Sequence, residues 1–394
     1  MTSEARVTRW DLFVWLALAA TGLAFTWLAV RFASPLGTDA APFLGTYRSN
    51  VGPASLVAPA VAATVLTVAA RGWWDRAPWP IVLLTGYLAG LMWTFALAVV
   101  NGERGLYGPA NHPGEPPGPA LVLRWIHRAG VTDPLAVGLL LTAVGALVVP
   151  LVLAAVRNGC GDLEARRYLP VVALAPYAIW MAASLDALVA VLVAAMVTAG
   201  AWASDHRRTG PKAGLGAVTA GLLLGVAAMF SFAVPWMGFS LVCLYFARRR
   251  AALNFFTGLG ALVPVGVAQL LGFRWVDGLL AAQRERPVIW WGVISLLVLL
   301  LAAGPALVAS LRKMRNTPGW PYLIGSGAAI LSTVLAGLAR GGVEHAWLTF
   351  FPWLTVAATA PARQAGPPVP GPLLLVGAGA ATSIVIRAIL VPAS

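Results

Sequence analysis

Long apolar runs separated by short polar gaps dominate the chain. They lie near 11–31, 53–71, 79–101, 135–156, 168–184, 186–203, 214–233, 235–247, 254–273, 288–311, 321–339, 348–361 and 371–391. A helix needs roughly 17–25 apolar residues to cross a bilayer, and on that measure the runs predict about thirteen spans. Those at 235–247 and 348–361 are short for the task and could tilt, re-enter or merge with neighbours. No repeat of fixed period is visible. The whole chain, 1–394, reads as one all-α, polytopic transmembrane domain.

The gaps between runs carry the orientation signal. With the N-terminus in the cytoplasm, seventeen Lys and Arg residues fall in inner segments, Arg71, Arg157, Arg248 and Arg312 among them. Nine fall in outer segments, and Arg387 lies inside the last span. The bias predicts a multi-pass plasma-membrane protein with its N-terminus inside and its C-terminus outside. Arg6 and Arg9 ahead of the first run could mimic a signal peptide. That run is long enough to span and no small-residue cleavage site follows it, so it is expected as a retained first helix.

Two outer segments stand out. The first outer loop, 32–52, contains DAAPFLGTYR. The long outer loop, 101–134, begins with a stretch too rich in Pro and Gly for helix, YGPANHPGEPPGP. LVLRWIHRAG follows, with apolar residues at helical spacing and Arg124, His127 and Arg128 on its polar face. It predicts an interfacial amphipathic helix.

Composition agrees with a lipid solvent. Of 394 residues, 59% are hydrophobic and 10% charged, against roughly 25% charged in ordinary soluble domains. The mean hydropathy is +0.81. A net charge of +13 would suggest nucleic acid in a soluble protein, but here the cations sit in membrane-flanking gaps, so no nucleic-acid partner is expected. Cys160 and Cys243 both fall on the expected cytoplasmic side, which argues against a disulfide framework or zinc site. The four histidines are too dispersed for a metal-binding motif.

With this topology, Asp39, Glu103, Glu115, Asp133, Asp186, Asp277, Glu285 and Glu344 face outward or lie at the outer boundary. Ionisable groups near membrane depth are costly and are read first as functional. Arg274, Arg284, Arg286 and Arg340 occupy neighbouring outer segments, with Trp275, Trp290, Trp291 and Trp347 close in sequence. Arginine forks match phosphate oxygens. The set suits transfer of a sugar from a lipid phosphate to a hydroxyl: a carboxylate takes the acceptor proton and arginines hold the departing phosphate. Plainer readings stand beside this one. Asp186 follows Ser184 and could serve as a helix cap. Interfacial Arg and Trp commonly anchor a protein in the membrane. Composition leaves transporter and enzyme both open; a transporter should carry ionisable groups at mid-span.

Several segments resemble, in order, the multi-span glycosyltransferases of the GT-C class, most closely an actinobacterial group that includes methylthioxylose transferase-like proteins. DAAPFLGTYR follows the first span, where the class keeps an acidic catalytic base. GEPPGPALVLRWIHRAG resembles the group's Pro-rich loop and following helix, and SLDALVAVL its Asp-Ala span opening. AGLLLGVAAMFSFAV, the Arg286–Pro287 pair with Trp290 and Trp291, GPALVASLRK and GGVEHAWLTFFPWL resemble further elements. The last segment departs at Gly342, where the pattern has an acid, and at His345, where it has Arg. Glu115 stands where the loop motif usually has His.

The resemblance implies Asp39 and Glu344 as catalytic groups. It implies Arg48, His112, Glu115, Asp186, Arg274, Arg284, Arg286, Trp290, Arg340, His345 and Trp347 as substrate-binding residues. It implies a polyprenyl-phosphate sugar donor, a glycan or glycolipid acceptor of the cell envelope, and an active site facing outside. No cofactor is required by this reading, and a divalent metal remains compatible with it. The absence of an Asp-x-Asp motif argues against a sugar-nucleotide donor. A lipid-linked sugar or lipid transporter, and a catalytically degenerate scaffold of the same family, are the alternatives.

Overall fold

The computed structural model describes residues 3–32, 36, 41–109, 116–282, 288–339, 341–361 and 372–392. Among them, seven helices are long and apolar enough to cross a membrane. These are Val7–Phe32, Pro53–Ala70, Trp79–Asn101, Pro134–Cys160, Leu185–Ala203, Pro211–Ala228 and Leu253–Leu270. Trp290–Ala303 followed by Ala306–Asn316 makes an eighth if the pair is one span, bent by 96°. The bend falls at Gly304, whose φ of +72° a side chain would resist. Val234–Ala247, Trp320–Leu335 and Leu373–Ile389 are apolar but shorter. The architecture is helical as expected, with seven or eight helices of spanning length where thirteen apolar runs were read.

Local chemistry explains the helix starts. Pro80, Pro119, Pro134, Pro211 and Pro321 occupy first or second positions, where a missing N–H costs nothing. Asp133 caps the Pro134 helix by accepting the Ala136 N–H at 2.8 Å. The exterior is apolar: Phe255, Leu262, Val263 and Leu270 on one helix are all exposed, a surface suited to lipid rather than water.

Helix pairing uses small residues. A Cβ on Gly221 would overlap the Thr257 carbonyl, and one on Gly225 the Ala261 carbonyl, across the Pro211–Ala228 and Leu253–Leu270 interface. Gly260 from the facing helix meets Val218 in the same way. In lipid, where burial of apolar surface gives no drive, such close backbone approach is what holds helices together.

Two runs expected as single helices, 168–184 and 348–361, are broken. Asp162–Ala173 carries Pro170, gives way at Leu174, and resumes as the short turn Pro176–Trp180. The second run forms only the short pieces Phe351–Leu354 and Val356–Thr359. Residues 168–181 and 347–361 are buried throughout. They pack against each other. Tyr177 stacks on Phe351 with ring centroids 6.0 Å apart. The Tyr168 hydroxyl bonds to the Pro352 carbonyl and, at 2.6 Å, to the Thr355 hydroxyl. Non-helical backbone away from water is tolerated where protein covers it, and these two segments cover one another.

Polar residues collect at the two ends of the bundle. At one end Arg312 grips Asp11 with two bonds of 2.9 and 2.7 Å, and Asp11 is 2% exposed. Arg166 bonds to Asp162 and to the carbonyls of Trp74 and Ala77, while Arg248 reaches the Asn158 carbonyl at 2.6 Å. At the opposite end the loop after the first helix is tied to the strand that follows the Leu373–Ile389 helix. Gly45–Tyr47 pairs antiparallel with Leu390–Pro392, Gly45 opposite Pro392. The Arg48 and Asn50 N–H groups continue the ladder to the Ile389 and Ala388 carbonyls at 2.9 and 2.8 Å. This ribbon was not foreseen by an all-α reading.

Candidate functional site

The ribbon and the broken segments bring four distant parts of the chain to one place. Ser184 opens the Leu185–Ala203 helix, and its hydroxyl accepts the Asp186 N–H at 3.1 Å. The cap is therefore Ser184, which leaves the Asp186 carboxylate available for tertiary contact. Its Oδ2 lies 2.8 Å from His345 Nδ1. A carboxylate only accepts, so Nδ1 carries the proton of this bond.

Glu344 and His345 lie in the one-turn helix Val343–Ala346. It starts from Gly341 and Gly342, whose φ angles are +95° and +72°. The acid that the resemblance places at 342 would be strained in that left-handed conformation, a local reason for glycine. Glu344 is fully buried, and its Oε1 accepts the Leu44 N–H at 2.6 Å. Next to Leu44, Phe43 packs its ring 5.3 Å from that of Trp180. One buried carboxylate and one aromatic contact thus seat the loop after the first helix over the broken segment.

The near side of the same loop is held separately. Leu36 is buried with Ala29, Trp291 and Ile294, against partly buried Ala41 and Trp290. Asp39 itself lies outside the described residues, as do His112, Glu115, Arg284, Arg286 and Arg340. Chain neighbours of Asp39 on both sides are nevertheless anchored to the elements that carry Trp290 and Glu344. Ala339, just before Arg340, is buried and accepts the Ser295 hydroxyl at 3.1 Å.

The electrostatics favour a cation at His345. Burial pushes its pKa down, but the hydrogen bond and charge of Asp186, together with the charge of Glu344, outweigh it and leave the imidazole above its ordinary 6.5. The pair remains open to one side: Asp186 is 40% and His345 26% exposed.

The other expected residues have different placements. Trp347 is fully buried and donates its indole N–H to Thr333 at 2.9 Å, a supporting position beneath the one-turn helix. Trp290 is half-buried with its ring 5.1 Å from that of Phe25 on the first helix. Arg48 extends from the ribbon with its side chain exposed. Arg274 is exposed and paired with Asp277 at 3.5 Å, a contact worth little at the surface. No described contact joins it to Asp186 and His345. Among the described residues, no three His, Cys, Asp or Glu side chains come together to hold a metal ion.

Sequence reasoning missed Leu44 and Thr333, which act through backbone or hydroxyl groups and carry no chemical signature, and it offered the cap to Asp186 where the structure gives it to Ser184. In the long loop the expected helix is present as Gly118–Arg128. Its Leu123 packs with Val137, Leu141 and Leu185, while Arg124, Trp125 and Arg128 are exposed. Compared with known proteins, the chain matches no family model, no curated protein and no solved structure.

Proposed function

We propose that the chain is an integral membrane glycosyltransferase of GT-C type. It would take a sugar from a polyprenyl phosphate and pass it to a cell-envelope glycan or glycolipid on the outer face. The observation that carries this reading is the gathering of Asp186, His345, Glu344 and the first outer loop at one end of the bundle. The residues come from three widely separated segments of an otherwise charge-poor chain. Asp39, in the loop that Glu344 clamps, is the general base that takes the acceptor's proton. Glu344, fully buried, positions that loop rather than touching the acceptor. His345, standing where the resembled pattern has Arg, serves as imidazolium: Nδ1–H is held by Asp186 and Nε2–H is offered to the lipid phosphate.

The same geometry supports the topology. In the ribbon, Leu390–Pro392 lies beside the loop at 32–52, on the side reached by the first helix. If the first helix spans, the number of crossings is then odd, as with thirteen. The short helices and the two broken segments would supply the crossings beyond the seven or eight of full length. The exposed face of Gly118–Arg128, with Trp125 and two arginines, would lie in the interface.

A transporter of lipid-linked sugar is the second reading, favoured by one observation: discontinuous segments packed at the centre of a bundle recur in transporters. One experiment separates the two. The purified full-length chain in liposomes is given a panel of polyprenyl-phosphate pentoses and hexoses, with and without an envelope glycan acceptor. The glycosyltransferase reading expects sugar transfer that requires acceptor and falls 10²–10⁴-fold in Asp39→Asn. It further expects His345→Arg to retain transfer and to abolish the decline otherwise seen as pH rises through the raised pKa of His345. Donor flux without acceptor, and no transfer from any donor, would replace it with the transporter.

A further inference from the structure

A groove of about 870 Å³ runs between the helices Val57–Ala70 and Trp79–Ala98, away from the candidate site. On one side Val57, Val61, Val65 and Val68 recur at helical spacing and form a continuous apolar stripe. Leu88 and Met92 face it from the other helix. The two hydroxyls in the groove are already spent: Thr64 donates to the Ala60 carbonyl at 2.9 Å and Thr85 to that of Ile81 at 2.7 Å. From Val57 to Arg71 the stripe is about 21 Å long at 1.5 Å per residue, a length suited to a fatty acyl chain and longer than the roughly 15 Å of half a bilayer core.

The chemistry changes at one mouth. Arg71 and Arg76 line it, beside Trp73 and Trp74. Both arginines are exposed, and among the described residues neither guanidinium has an acidic or carbonyl partner. Their neighbours at the same end differ: Arg157 and Arg166 bind Asp162, and Arg167 binds Asp75. The one acid in the Arg71–Arg76 turn is therefore already engaged by Arg167, and the mouth carries two uncompensated positive charges.

We infer that this groove is a binding site for an anionic glycerophospholipid. One acyl chain lies along the valine stripe, the phosphate sits between Arg71 and Arg76, and Trp73 marks the interface. The occupant is distinct from any substrate bound at Asp186 and His345. Arg71 and Arg76 belong to the end of the bundle where Arg166 and Arg312 are tied, opposite the ribbon. The inference does not rest on the glycosyltransferase reading.

The full-length chain in dodecyl maltoside is titrated with dioleoyl phosphatidylglycerol or dioleoyl phosphatidylcholine, and bound lipid is counted by native mass spectrometry. Phosphatidylglycerol should bind on the order of thirty-fold more tightly, two arginines each contributing roughly five-fold. Arg71→Gln/Arg76→Gln should bring it down to the phosphatidylcholine level. Ala60→Trp, placed on an exposed groove residue, should abolish retention of both lipids. Equal binding of the two lipids by the wild type would reduce the groove to bulk boundary lipid and overturn the inference. So would a preference that survives the double arginine variant. Dimers that Ala60→Trp dissociates without changing lipid binding would show a second copy of the chain in the groove instead. Should Ala60→Trp not fold, the arginine pair, exposed and without partners among the described residues, decides alone.

Discussion

Replacing Asp186 by Asn tests the coupling that raises the His345 pKa. Asn keeps an oxygen able to accept the Nδ1–H that now lies 2.8 Å from the carboxylate, so the geometry should survive while the charge is lost. A hydrogen bond to a charged partner contributes roughly 1.5–3 kcal/mol, and a neutral one about half that. Asp186 is 40% and His345 26% exposed, so solvent screening places the difference near the low end, about 1 kcal/mol. The folded-state pKa of His345 is raised above 6.5. Its contribution to stability is therefore fully present below 6.5 and lost as pH rises through the raised value. Asp186→Asn should lower that pKa and destabilise the protein at pH 6 more than at pH 9. The chain has four histidines, few enough for imidazole NMR in micelles, with His345→Gln identifying the resonance. Thermal unfolding at the two pH values supplies the second readout. An unchanged His345 titration in Asp186→Asn, or an equal loss of stability at both pH values, would refute the coupling.

Two further outcomes test the packing. Glu164 is buried, and although the Thr317 hydroxyl donates to it at 2.8 Å, burial raises its pKa from 4.5 to about 7. Its protonated form stabilises the fold below pH 4.5, and that contribution is lost as pH rises through 7. Glu164→Gln should thus raise the melting temperature at pH 8.5, by at most about 3 kcal/mol in stability, and leave pH 4.5 unchanged; a gain equal at both would remove the titration argument. Gly221→Val should cost about 1–3 kcal/mol or more, because its side chain meets the Thr257 carbonyl. Gly214→Val on the same helix, with open space around it, should cost under about 1 kcal/mol, and equal losses would refute the close-packed interface.

The helical class and most helix positions were legible because lipid imposes one dominant pattern, long apolar runs with charge only in the gaps. Span count was less legible, since hydropathy measures burial and cannot distinguish burial by lipid from burial by protein. The runs at 168–184 and 348–361 are apolar for the second reason. Their prolines, Pro170, Pro176 and Pro352, pointed to breaks that periodicity alone concealed. The ribbon was invisible for a different cause: Gly45–Tyr47 and Leu390–Pro392 are three residues each, too short to show alternation.

The site divides along the same line. Asp186 and Glu344 drew notice as acids in a charge-poor chain, but their roles depend on partners 159 and 300 residues away, His345 and Leu44. Read in sequence, His345 looks like a loss: the pattern's permanently charged Arg has become a group that is mostly neutral at pH 7. In the fold Asp186 bonds to it and the charge of Glu344 adds to the effect, while Ser184 takes the capping duty. A histidine so placed restores the positive charge under mildly acidic conditions and gives it up as pH rises, which an arginine cannot do. On the proposed reading, the departure from the resembled pattern would be a change in pH response rather than a vacancy in the site, and Asp186 would be the residue that makes the difference.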